Sequence, residues 1–226
     1  SPLEAANMDP QQRIVLQLTW EALEDAHIPA NELRGKPVGV FMGNTNNDYG
    51  MLISADPAEA HPYALTGNSS SIIANRISYA FDFRGPSVAM DTACSSSLVA
   101  IHQAVRSLRG GDSDVAVAGG GHPPCSPFST RGVFRLGGIR AFSDDADGIV
   151  RSDGAGVVVL KRLEDARRDG DNVLAVIKGS AVNSDGRSNG LTAPNPDAQV
   201  DVLRSAYADA RIDPQSVDYV EAHGTG

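Results

Sequence analysis

The sequence predicts an α/β fold, a mainly parallel or mixed sheet held between helical layers. Three observations carry that expectation. Val38-Gly39-Val40-Phe41-Met42, Val115-Ala116-Val117-Ala118 and Gly156-Val157-Val158-Val159-Leu160 are short apolar runs of strand length, the first two as expected of buried strands. Segments with apolar residues at helical spacing alternate with them. Glycine is plentiful, 23 residues, and aromatics make up only 5% of the chain, which suits tight turns and close layers rather than an all-helical bundle.

Residues 10–26 predict a helix: Asp9 can cap it, Pro10 suits the first helical position, and Ile14, Leu18, Ala22 and Ala26 form a stripe. Pro37 introduces the first buried strand, and a loop rich in Asn, Asp and Gly follows, with Tyr49 in it. Residues 71–80 read as a helix. Gly85-Pro86 marks a turn, after which Ser87-Val88-Ala89-Met90 can form a short buried strand. A second strong stripe, Leu98, Ile101, Val105 and Leu108, predicts a helix stopped by Gly110-Gly111. Gly119-Gly120-Gly121 should close the 115–118 strand, and residues 122–148 read as irregular. Further strands are expected over 156–160, 173–178 and 217–222. Between the last two, Val200, Leu203 and Tyr207 predict a helix over 197–210. No composition shift marks a linker, so no internal domain boundary is expected.

The chemistry concentrates in Asp91-Thr92-Ala93-Cys94-Ser95-Ser96-Ser97-Leu98. The run puts Cys94 where a strand gives out and a helix begins, with three serines able to cap that helix. A thiol there faces backbone N–H groups and the positive end of the helix dipole, which favour the nucleophilic thiolate. A lone cysteine is more often a small buried hydrophobe, so the motif around it decides. DTACSSSL resembles the nucleophile motif of β-ketoacyl synthases, the condensing domains of polyketide and fatty acid synthases. The resemblance covers essentially the whole chain in order. Met8-Asp9-Pro10-Gln11-Gln12-Arg13 resembles the family's N-terminal helix, and Asn75-Arg76-Ile77-Ser78-Tyr79 the helix before the nucleophile strand. Ala181-Val182-Asn183-Ser184-Asp185-Gly186 and Gly190-Leu191-Thr192-Ala193-Pro194-Asn195 are similar to segments of modular polyketide synthases. Val220-Glu221-Ala222-His223-Gly224-Thr225-Gly226 resembles the first catalytic-histidine motif.

The resemblance implies a thiolase-like α-β-α-β-α fold, with this chain holding the first half and the opening of the second. It also implies a ketosynthase domain of a type I modular polyketide synthase, cut at both ends. The reaction implied is decarboxylative Claisen condensation. Cys94 accepts an acyl group from a carrier thioester, and His223 donates a hydrogen bond to the enolate oxygen formed when a malonyl-type thioester loses CO2. The family's second histidine, a lysine and a Gly-rich oxyanion loop lie further along its sequence and are not among these residues, so the 226 residues alone are not expected to condense anything. No cofactor is implied, because the phosphopantetheine arm comes with the acyl carrier protein. Carrier, adjacent synthase domains and a second copy of the chain, as a homodimer, are the expected partners. A fatty acid synthase condensing domain and a non-condensing carrier-binding scaffold are the alternatives; a thiolase acting on free coenzyme A fits the motifs poorly.

Composition excludes other classes. The net charge of −9 (19 Lys+Arg against 28 Asp+Glu) leaves no basic stripe for nucleic acid. No apolar stretch approaches a bilayer span and no secretory signal is visible. Two cysteines, Cys94 and Cys125, make no disulfide framework, so a reducing cytoplasm is expected. Arg131, Arg135 and Arg140 read as solvated loop charge rather than a carrier-docking patch. His122 near Cys125 is too little for zinc, Asp144-Asp145-Ala146-Asp147-Gly148 lacks the spacing of a calcium loop, and Gly154-Ala155-Gly156 precedes a strand, the wrong setting for a dinucleotide loop. The sequence departs from the family at Ser152-Asp153-Gly154, where Gly-Glu-Gly is usual, and around residues 134–143, where a turn is replaced and shortened.

Overall fold

Val38–Gly43 (β1), Ser87–Met90 (β2), Val115–His122 (β3) and Gly154–Lys161 (β4) form one sheet of order β2-β1-β3-β4. The computed structural model describes residues 1–45, 47–53, 61–122, 138–150 and 152–225. It divides into two compact units, Ser1–Asn172 with Gly224–Gly226, and Val173–His223. The sheet and the helices Pro2–Ala6 (α1), Pro10–Asp25 (α2), Asp48–Ile53 (α3), Tyr63–Asn68 (α4), Ser70–Phe81 (α5), Ser96–Gly110 (α6) and Leu163–Asp169 (α7) belong to the first unit.

β1 runs parallel to β2 and β3, and β4 is antiparallel to β3. The two-residue period of the strands sorts the side chains into two cores. Val38, Val40 and Met42 of β1 with Val115 and Val117 of β3 face α2 and α5 through Val15, Leu23, Ile73, Ile77 and Phe81. Phe41, Ala116 and Ala118 face the other way, onto Ala100, Ala104 and Leu108 of α6. Each fully buried valine or methionine contributes about 1.5–3 kcal/mol of apolar transfer. Alanine on both sides of the second interface lets α6 lie close to the sheet.

Several expectations change in the structure. The buried face of α2 is Val15, Thr19 and Leu23, one residue on from the predicted stripe, together with Gln11 and Gln12. Thr19 and Gln12 of that face are satisfied internally. Thr19 Oγ1 donates to Val15 O (2.7 Å), and Gln12 Nε2 donates to Thr66 O (3.0 Å) and Gly67 O (2.8 Å). Arg76 closes the network, its Nε donating to Gln12 Oε1 (2.7 Å) and its Nη1 to Glu4 Oε1 (2.8 Å). Of the predicted α6 stripe, Val105 and Leu108 are buried but Leu98 is 71% exposed, and the small residues Ser96, Ala100, Ala104 and Ser107 complete the inner face. β2 has the expected bounds but is an edge strand and only half-buried.

Gly119-Gly120-Gly121 does not end β3; the strand continues to His122. A Cβ on Gly119 would come within 2.1 Å of Gly156 O on β4, and one on Gly120 within 2.7 Å of Gly43 O on β1. The glycines therefore permit close backbone approach rather than a turn. α6 stops as expected, with Gly111 left-handed at φ 84°. Arg162, between β4 and α7, fixes that end. Its Nη1 donates to Leu108 O (2.9 Å) and Ser113 O (3.0 Å), its Nη2 to Asp114 (2.8 Å) and its Nε to Asp165 (2.5 Å). Arg168 and Arg162 hold Asp165 below the usual carboxylate range.

The second unit carries Pro196–Ala210 (α8), capped by Asn195, whose Oδ1 accepts from Asp197 N (3.1 Å) and Ala198 N (3.4 Å). The two polyketide-type segments meet here: Asn195 N donates to Asp185 Oδ2 (3.1 Å) and Asn195 Nδ2 to Asp185 O (2.8 Å). The strands expected over 173–178 and 217–222 are not formed; both segments are without regular structure. An apolar run becomes a strand only when a ladder partner accepts its backbone groups, and no such pairing occurs among the described residues. Leu174 is 81% exposed as a result. Among the described residues, no helix is long and apolar enough to cross a membrane.

Candidate active site

β2 delivers the chain to the site at Met90, whose carbonyl accepts from Asn44 N (3.0 Å) just beyond β1. A tight elbow follows. Asp91 Oδ1 accepts from Ala93 N (2.9 Å), and Ala93 is left-handed at φ 54°, a conformation costing a residue with a Cβ about 1–2 kcal/mol. Ser96 Oγ accepts from Thr92 N (2.9 Å) and donates to Ala93 O (2.7 Å), whose oxygen also accepts from Ser96 N (3.0 Å). Ser95 Oγ donates to Thr92 O (2.8 Å). That uses its single proton, so Thr92 Oγ1 is the donor in the 2.9 Å contact between the two hydroxyls. The serines expected to cap α6 thus behave differently: the N-cap Ser95 makes no side-chain cap bond, and the hydroxyls of Ser95 and Ser96 turn back onto the elbow.

Cys94 sits at the apex as a free, exposed thiol. Glycines seat the turn beneath it. A Cβ on Gly43 would lie 2.6 Å from Ser96 C, 2.7 Å from Ser97 N and 2.8 Å from Ser96 O. One on Gly120 would meet Ser97 Cβ at 3.4 Å. The end of β1 and the middle of β3 are therefore pared to backbone where the first turn of α6 rests.

His223 belongs to the second unit and is exposed; Gly224 after it is left-handed at φ 62°. Nearby, Tyr219 donates to Glu221 Oε2 (2.7 Å). Cys125, Arg131 and Arg135 lie outside the described residues. Arg140 Nη1 donates to Asp145 O (3.3 Å), a local turn contact. A pocket of about 720 Å³ between α2 and α5, lined by Trp20, Leu23, Ile28 and Phe81 among others, includes none of the elbow residues. Sequence reasoning misses Ser96 and Asp91 as parts of the elbow and Gly43 as its seat. The only signal is the crowding of hydroxyl and carboxylate residues around the cysteine; a left-handed alanine has no sequence signature.

An exposed cysteine presented on a strained strand-to-helix elbow, with small residues packed beneath, is an arrangement suited to covalent catalysis. The chain belongs to the β-ketoacyl synthase family: residues 1–166 match the model of the β-ketoacyl synthase N-terminal domain and residues 174–226 that of the C-terminal domain. Over its whole length it is 58% identical to one of the phenolphthiocerol/phthiocerol polyketide synthase subunits of Mycobacterium tuberculosis, and it spans 12% of that protein. It is 51% identical to the spectinabilin polyketide synthase system protein NorA' of Streptomyces orinoci, of which it spans 6%. Among solved structures, an oxazolomycin ketosynthase domain from Streptomyces albus JA3453 superimposes with a TM-score of 0.92 at 42% identity, covering 100% of this chain and 40% of that one. The module 6 ketosynthase of the Bacillus subtilis 168 bacillaene synthase gives 0.90 at 41% identity, covering 99% of this chain and 39% of that one. The fold is thus that of the thiolase-like ketosynthase domains.

Proposed function

We propose that this chain is part of a ketosynthase domain of a modular polyketide synthase, in which Cys94 is the acyl acceptor and His223 stabilises the enolate. The observation that carries the proposal is the exposed thiol of Cys94 at the apex of a hydrogen-bonded elbow. The Cys94 sulfur attacks the carbonyl of an acyl-carrier thioester, and the carrier's phosphopantetheine thiol leaves. A malonyl-type carrier thioester then loses CO2, and its enolate carbon attacks the Cys94-bound acyl carbonyl. The C–S bond to Cys94 breaks, returning the thiolate and leaving a β-ketoacyl chain on the carrier. One N–H of a neutral His223 imidazole can donate to the enolate oxygen, and the Cys94 N–H can donate to the oxyanion of the acyl-transfer step.

No cofactor held by the domain enters this scheme. The relatives belong to polyketide synthases, which supports polyketide rather than fatty acid chain extension, and the retained cysteine supports a condensing rather than a scaffold role. We place the domain in a homodimeric, multidomain synthase in the cytoplasm, served by acyl carrier and adjacent domains.

The two roles separate experimentally. In the complete ketosynthase domain, which supplies the rest of the catalytic set, Cys94→Ala should abolish both loading of an acyl-pantetheine thioester and condensation. His223→Ala should still load the acyl group but lose condensation. Full condensation by either variant would overturn the assignment of that residue.

A further inference from the structure

We infer that Ser96, supported by Asp91, is a positioning residue for Cys94, acting by holding Ala93 in its left-handed conformation. The inference rests on the nucleophile reading above and extends it to residues that do not touch substrate.

Ala93 is the residue before Cys94, and its φ of 54° is one that a side chain with a Cβ does not adopt unaided. If it relaxed to negative φ, the Cys94 Cα–Cβ vector would swing away. Two groups oppose that relaxation. Ser96 bridges both sides of Ala93, accepting from Thr92 N (2.9 Å) and donating to Ala93 O (2.7 Å). Asp91 Oδ1 anchors Ala93 N itself (2.9 Å). Ser96 is 4% exposed, so water cannot readily replace its hydroxyl. It is also the residue pressed against Gly43, which fixes the clamp to the end of β1. The Ser95 hydroxyl, by contrast, is on an exposed residue and bonds to Thr92, not to Ala93.

The mechanism makes a specific prediction of rescue. Glycine occupies positive φ without steric cost, so an elbow with Gly at position 93 has less need of the clamp. The test measures transfer of a butyryl group from its N-acetylcysteamine thioester to Cys94, read as the mass of the Cys94 peptide. Alkylation of Cys94 by iodoacetamide at a pH that ionises the thiol, a reaction tolerant of orientation, is measured in parallel. Ser96→Ala should slow acyl transfer by about 10-fold, in keeping with the sensitivity of reaction to sub-ångström misplacement, while alkylation stays within about twofold of the parent. Adding Ala93→Gly should return acyl transfer to within about threefold of the parent, because the clamp is then largely dispensable. Asp91→Ala should slow transfer and be rescued in the same way, whereas Asp91→Asn, which keeps the acceptor oxygen, should not slow it.

Acyl transfer by Ser96→Ala at the parent rate, or no rescue by Ala93→Gly, overturns the inference while leaving Cys94 as nucleophile. A parent protein that acylates elsewhere than Cys94 overturns the nucleophile reading, and this inference with it. If Ser96→Ala does not fold by circular dichroism, the Asp91→Ala pair decides: slowing with rescue supports the clamp, and parent rates refute it.

Discussion

Replacing Gly43 by alanine probes how tightly the elbow is seated. The added methyl would lie 2.6, 2.7 and 2.8 Å from three backbone atoms of Ser96 and Ser97, none able to swing aside as a side-chain tip would. Ordinary contact begins at 3.4 Å, so the first turn of α6 must retreat from β1 by roughly 0.8 Å, the shortfall of the closest pair. Overpacking of this kind costs about 1–3 kcal/mol. For a chain of this size each kcal/mol lowers Tm by about 2–4 °C, so the thermal transition followed by circular dichroism should fall by roughly 2–12 °C. The same displacement moves Cys94, and a misplacement near 1 Å can slow a positioned reaction by about 100-fold, so loading of Cys94 should fall by about 10- to 100-fold even where the variant is fully folded. A Gly43→Ala protein that melts and loads like the parent would refute the claim that β1 seats the elbow.

Other predictions concern the frame. Arg162→Ala should destabilise by about 1–2 kcal/mol in urea unfolding, the range for charge-assisted hydrogen bonds at a partly exposed site, and Arg162→Lys should recover little because lysine lacks the guanidinium fork. Gln12→Leu should cost about 1–3 kcal/mol in urea unfolding, since it takes the acceptor from Arg76 Nε and a donor from Thr66 O, while Gly67 O keeps Asp9 N; an unchanged stability would refute the role of the Gln12 network. Asp9 is raised above the usual aspartate range by burial, so its folded form holds a proton more tightly than its unfolded form. Its contribution to stability must therefore fall as pH rises from the ordinary aspartate value through the raised one. Asp9→Asn, which keeps the cap oxygen for Gln11 N, should remove that slope from the stability–pH profile. Asp9→Ala should lose about 0.5–2 kcal/mol of capping below the ordinary aspartate value, and less above the raised one.

The parts of the fold legible in the sequence are those set by local pattern. Val38–Met42 and the 115–118 run are readable because a strand covered on both faces must be apolar throughout, and α2 because Asp9-Pro10 starts it. The inner face of α2 is not readable. Apolar counting selects Ile14 and Leu18, but Gln12 and Thr19 are buried, their polar groups satisfied by Thr66 and Gly67 far along the chain and by Val15 one turn back. α7 escapes notice because Leu163-Glu164-Asp165-Ala166-Arg167-Arg168-Asp169 has no apolar stripe; its charges meet in ion pairs with Arg162 and Lys161. The 173–178 and 217–222 runs have strand composition, but composition cannot supply a pairing partner. At the site, Cys94 stands out by its place between strand and helix. The left turn at Ala93 is held by local bonds from Asp91 and Ser96 that the hydroxyl- and carboxylate-rich run only hints at, and the seat of Ser96 against Gly43 is a tertiary contact that the local sequence does not announce.

The most direct test of the central claim is the mass of the peptide containing Cys94 after incubation with an acyl-pantetheine thioester. The account predicts one acyl group on Cys94, discharged by hydroxylamine as a thioester is, and none on the Cys94→Ala protein. An adduct on Cys125 or on a serine of the elbow, with Cys94 left unmodified, would contradict it.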